Sequence, residues 1–120
     1  MTGSDMPIID SKTVRQQIKE NSIRLVDVRR EQEYRQGHIT NAINLPLAKL
    51  LADDSAESIQ KIAQDLGISD ETSVVVYDDT FGALSSRVVW ALQYIGHTDA
   101  KLLDVTFSQW KDLGYEISTE

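Results

Sequence analysis

Short apolar runs alternate along the chain with amphipathic stretches, and that pattern predicts the fold class. The most apolar run is Val74-Val75-Val76-Tyr77, three β-branched residues and an aromatic. Such a run suits a strand covered on both faces, and it predicts a central strand over 72–77. The chain then turns polar at Asp78, Asp79 and Thr80, passes Phe81 and Gly82, and changes period. Leu84, Val88, Leu92 and Ile95 fall on one face of a helix that ends at Gly96. Strand, short loop, helix is the setting in which α/β proteins bind ligands, with loop amides and the helix N-terminus favouring anions.

The flanking chain reads the same way. Ile8-Ile9 predicts a short strand. Asp10 or Ser11 caps a helix over 12–20, with Val14 and Ile18 facing inward, and Asn21-Ser22 breaks it. A strand is expected over 23–28, then a helical turn near Tyr34 closed by Gly37-His38. A third short strand over 42–45 is stopped by Pro46, and 47–51 forms one helical turn. Asp53 or Ser55 starts a helix with Ile59, Ile62, Ala63 and Leu66 on one stripe and Gly67 beyond its end. A strand over 101–103, a short helix over 106–113 and a last strand over 115–117 complete the chain. Strands and helices alternate, so an α/β domain is expected, its mainly parallel sheet held between two helical layers. Residues 1–6 read as a disordered tail, which leaves 7–120 for the folded domain.

Composition narrows the function. At 120 residues the chain has room for one core. A net charge of −7 argues against a phosphate-backbone partner, so no nucleic acid is expected. No apolar run reaches the roughly 20 residues of a bilayer span, and residues 1–6 lack a signal-peptide core. A cytoplasmic protein without a membrane partner is the expectation. Cysteine is absent altogether, which removes disulfides, thiolate metal sites, thiol nucleophiles and persulfide carriers from this chain.

Two spaced motifs carry a family resemblance. The first comprises Asp27, Arg29, Glu33, Tyr34, Gly37, His38, Ile39, Ala42 and Leu45; the second comprises the Val-rich strand, its loop, Arg87, Trp90, Leu92 and Gly96-His97. In this order they resemble a rhodanese (sulfurtransferase) domain from about Ile8 to Ile117. The chain departs from the family pattern at Thr40-Asn41, where Pro-Gly is usual, and at Val105-Thr106, where two glycines are usual; Phe107 and Trp110 remain. The resemblance implies a three-layer sandwich around a mainly parallel five-stranded sheet. It also implies a mechanism: a Cys after the central strand takes a sulfane sulfur from thiosulfate or mercaptopyruvate and passes it to a thiophile. The matching position here is Asp78. A carboxylate cannot hold a transferable sulfane sulfur, so the reaction is expected to be absent. Tyr77-Asp78-Asp79, Gly82, Arg87 and Trp90 look most like the non-catalytic N-terminal half of two-domain thiosulfate or mercaptopyruvate sulfurtransferases. The implied partner is then a catalytic rhodanese domain or another protein, or a small anion at the loop.

Candidate binding-loop residues are therefore Asp78, Asp79, Thr80, Phe81, Gly82, Ser85, Ser86 and Arg87. Asp78 reads first as a cap on the loop amides, with ligand contact as the alternative and covalent nucleophile the least favoured role. An enzyme acting on a small anion through Asp78 or Asp79 is the competing function. Ser85 and Ser86 read as helix N-caps; Arg87 faces either the loop or a partner. Asp27, Arg29, Glu33 and His38 read as a structural polar network, His97 as a cation at a helix end, and Trp90 and Trp110 as packing residues. A dehalogenase-type phosphotransferase needs an Asp where Thr80 stands, and a response-regulator receiver needs an acidic pair after its first strand. A Cys-type phosphatase lacks its Cys, and its loop Arg would stand nearer than Arg87. No Gly-x-Ser-x-Gly elbow or Gly-rich nucleotide fingerprint occurs. Two separated His without Cys are weak grounds for a metal. No metal or cofactor is expected.

Overall fold

The computed structural model describes residues 7–120; the expected tail over 1–6 lies outside them. The elements in chain order begin with β1 (Ile8–Ile9), α1 (Ser11–Glu20), β2 (Arg24–Asp27), α2 (Glu31–Gln36) and β3 (His38–Ile39). Then come β4 (Ile43–Asn44), α3 (Leu47–Ala52), α4 (Ala56–Asp65), β5 (Val74–Tyr77) and α5 (Ser85–Tyr94). The chain finishes with β6 (Ala100–Leu103), α6 (Phe107–Asp112) and β7 (Ile117–Ser118). Five strands form one sheet in the order β1-β6-β5-β2-β4, with every pair parallel. This is the mainly parallel five-stranded α/β sandwich that the resemblance implies.

β5 sits in the middle of that sheet and is buried on both sides, as its composition requires. Successive side chains go to opposite faces. Val74 and Val76 join one core with Ile59 and Ala63 of α4 and Val88, Val89 and Leu92 of α5. Val75 and Tyr77 join the other, with Val14 of α1 and Phe107 and Trp110 of α6. The two stripes read from the sequence, Leu84-Val88-Leu92-Ile95 and Ile59-Ile62-Ala63-Leu66, both pack into the first core. Asp10, rather than Ser11, caps α1 by accepting from the Thr13 amide at 3.0 Å. Ser55, rather than Asp53, caps α4 through the Ser58 amide at 3.2 Å.

Two expectations need correction, those for Trp90 and for Ser85 and Ser86. The last strand, expected over 115–117, is β7 and forms a separate two-stranded sheet, pairing antiparallel with β3 so that Ile39 lies opposite Ile117 and His38 opposite Ser118. His38, expected to close the turn after Tyr34, is also the first residue of β3. Trp90 is 57 % exposed and stacks on Tyr94 with ring centroids 5.5 Å apart. It stands two positions from both Val88 and Leu92, about 200° round the helix from each, so it faces away from the core. His97 stands just past the end of α5, as expected, with its amide 2.9 Å from the Leu92 carbonyl; its ring is buried, with Nε2 3.3 Å from the Asp99 carbonyl. Ser85 and Ser86 lie inside α5, whose N-cap position is Leu84.

Leu92 and Trp90 give a direct test of this placement. Leu92→Ala should cost about 2–4 kcal/mol, through lost burial plus a cavity. Trp90→Ala should cost at most about 1 kcal/mol, the worth of an exposed aromatic stack. Urea unfolding at unchanged m-value measures both.

Candidate functional site

The chain leaves β5 at Asp78 and needs seven residues to enter α5. Asp78 is 3 % exposed, and its carboxylate faces back into the loop. Oδ1 accepts from the amides of Thr80 at 2.8 Å and Gly82 at 3.1 Å. Oδ2 accepts from Leu84 at 3.0 Å and Ser85 at 2.8 Å. The last two are donors at the start of α5, which have no intrahelical acceptor. Asp78 thus caps α5 from seven residues away, the role expected of Ser85 and Ser86. A serine inside the first turn cannot reach the amides that precede it, whereas a carboxylate at the strand end can.

Burial by itself raises the Asp78 pKa, but the amides of Thr80, Ser85 and Gly82 outweigh it and hold the carboxyl below its usual value. The loop pays for this convergence at Phe81, whose φ of +57° lies in the left-handed region. Gly82 follows at +96°, where a side chain would be strained. Phe81 is 83 % exposed, and with Asp78, Gly82, Ser85 and Thr106 it lines a cleft of about 140 Å³.

Asp79 points the other way. Its carboxylate accepts from the Ser108 amide at 2.9 Å and the Ser108 hydroxyl at 2.7 Å. The Asp78 carbonyl accepts from the Phe107 amide at 2.9 Å. Two adjacent acids therefore hold the first turns of two helices, α5 and α6. Thr80 and Arg87 are exposed. The partnership of Asp79 with Ser108 was not read from the sequence; its signal is the Thr106–Gln109 capping box, which marks where α6 starts.

Beside the loop lies a second buried network. The Asp27 carboxylate takes Nε of Arg29 at 3.1 Å and Nη2 at 2.8 Å, and Nη2 also reaches the Gly37 carbonyl at 2.6 Å. Arg29 is 7 % exposed and lies over the Phe107 ring at 3.9 Å. Burial alone lowers its pKa, but the bonds and charge of Asp27 outweigh this and raise it. The Tyr77 hydroxyl donates to Asp27 at 2.6 Å and accepts from the Ile39 amide at 3.0 Å. Burial, reinforced by the Asp27 charge, pushes the Tyr77 pKa far up, so the hydroxyl stays a donor. Tyr77 was expected only as a strand residue. Its register opposite Asp27 in the parallel pair brings the two together. Glu33 does not join: its carboxylate accepts from the Arg30 amide at 3.2 Å, a local bond at the start of α2. His38 bonds the Tyr34 carbonyl through Nδ1 at 2.7 Å and stacks on the Tyr34 ring.

The sequence profile of the rhodanese-like domain matches residues 10–113. The chain belongs to the rhodanese-like domain family. This rhodanese-like chain is 32% identical over 97 residues to the putative thiosulfate sulfurtransferase SseB of Mycobacterium tuberculosis, an alignment covering 72% of this chain and 34% of that protein. It is 26% identical over 120 residues to the sulfur carrier protein TtuD of Thermus thermophilus, covering 94% of this chain and 42% of that one. Among solved structures, the thiosulfate sulfurtransferase of Pseudomonas aeruginosa superposes with a TM-score of 0.75 at 27% identity, over 93% of this chain and 20% of that one. The chain thus spans less than half the length of the curated relatives it matches. No helix among the described residues is long and apolar enough to cross a membrane.

Two substitutions test the networks. Asp78→Asn should cost about 2–3 kcal/mol at pH 7, since charge-assisted bonds are lost and an NH₂ group meets amide donors. Because the folded Asp78 pKa is depressed, its stabilisation is full above the unfolded value and is lost as pH falls through the folded one. The gap between parent and variant in urea should therefore close below about pH 4. Tyr77→Phe should cost about 1–3 kcal/mol, because the Ile39 amide loses its acceptor in a buried place; thermal unfolding reads it.

Proposed function

We propose that this chain is a non-catalytic rhodanese-like module, either the silent half of a sulfurtransferase or a binding module for another protein. The observation that carries the reading is the Asp78 carboxylate at the nucleophile position, with four loop amides directed onto it. Convergent amides at a helix N-terminus stabilise an anion. In a catalytic member that anion is a thiolate or the persulfide it becomes. Here it is a fixed carboxylate, and the chain holds no Cys to take sulfur.

The competing reading, an enzyme acting on a small anion through Asp78 or Asp79, loses ground on the same geometry. Each oxygen of Asp78 accepts two amide hydrogen bonds, and its depressed pKa suits neither general acid nor general base near neutrality. Asp79 is bonded to Ser108 and does not line the cleft that holds Asp78. Similarity to longer sulfurtransferases favours the silent-half version, with a catalytic rhodanese domain as the partner.

The test is sulfur transfer from thiosulfate and from mercaptopyruvate to cyanide, measured on the parent and on Asp78→Cys. The parent should be inactive. The variant should gain slow transfer, because the amides that held the carboxylate then face a thiolate. Activity in the parent would overturn the reading. A folded but silent Asp78→Cys would show that the loop no longer forms a working cradle.

A further inference from the structure

A second cleft, of about 240 Å³, lies at the same end of the sheet and does not include Asp78. Arg29, Glu33, Gly37, Asp79, Phe107 and Lys111 line it. Arg29 forms its hydrogen bonds through its backbone amide, Nε and Nη2, leaving Nη1 without a protein partner among the described residues. Lys111 stands with Nζ 5.7 Å from the Phe107 ring centroid. Among the described residues it has no carboxylate within 4.0 Å, and Glu33 has no cation within that distance.

Two cations and two anions therefore border one small space, and Lys111 and Glu33 are not paired off. A simple anion placed there would meet Glu33 and Asp79. A simple cation would meet Arg29 and Lys111. A molecule carrying both charges a few bonds apart satisfies both pairs. The volume lies just under the roughly 300 Å³ at which drug-sized pockets begin, so it suits a ligand of amino-acid size. Phe107, at the base of α6, offers an apolar surface for a short side chain. We propose that this cleft binds a free α-amino acid, its carboxylate toward Lys111 and Arg29 and its ammonium toward Glu33 and Asp79. The proposal does not depend on the sulfur-transfer reading, since none of these groups is Asp78.

The experiment is an amide NMR titration of the full chain with L-alanine and L-serine, using propionate and ethylammonium as singly charged controls. Both amino acids should shift the Gly37, Asp79, Ser108 and Lys111 amides saturably, with a dissociation constant of about 1 mM. Lys111→Met and Glu33→Gln, both at exposed positions, should each weaken binding about tenfold, the loss of one charge-assisted contact. The controls should give no saturable shift. The proposal is overturned by no saturable shift at about 50 mM amino acid, where such a site would be full. Equal binding of either control overturns it too, as does parent-like affinity in both variants.

Discussion

One carboxylate organises the end of the sheet where rhodanese-like domains place their chemistry. Asp78 is nearly inaccessible, and a buried charge is costly unless it is fully bonded. Four amides meet that condition, two on each oxygen. The loop can offer them only by turning Phe81 and Gly82 into the left-handed region. The same carboxylate fixes where α5 begins, and the carbonyl of Asp78 with the side chain of Asp79 fixes where α6 begins. Removing the charge would loosen the loop and the start of α5 together. The anion cradle is thus built into the fold and is filled by the chain itself.

The Asp27–Arg29–Tyr77 network supplies the second constraint. It joins β2 and β5, which are neighbours in the main sheet, to β3 of the small sheet through the Ile39 amide and the Gly37 carbonyl. Losing one partner of such a buried pair is far more damaging than losing an exposed ion pair, because the remaining charge stays desolvated. The Phe107 ring beneath Arg29 connects this network to α6. The two networks therefore share a helix, and the mixed-charge cleft opens between them.

Much of this was legible in the chain. Val74 to Tyr77 announced a doubly covered strand, and the apolar stripes of α4 and α5 announced which faces they bury. The position of Asp78 was legible because the acid directly follows the apolar strand, with a short loop and an amphipathic helix after it. What stayed hidden depends on contacts between distant residues. Strands of two residues, such as β3 and β7, carry no period, and only their pairing defines them. Ser85 and Ser86 looked like caps because local propensity favours serine there, but the carboxylate from β5 reached those amides first. Trp90 looked like a core residue by type, while its helical position turns it outward. The Asp79–Ser108 bond spans 29 residues and leaves no local trace beyond the start of α6.

The Asp78 carboxylate is itself the anion in this cradle. The most direct measurement is a side-chain carboxyl NMR titration of Asp78, followed alongside the amides of Thr80, Gly82, Leu84 and Ser85. The midpoint should lie below the ordinary aspartate value of about 3.9, with all four amides shifting in the same step. A midpoint at or above that value, with those amides unmoved, would contradict it.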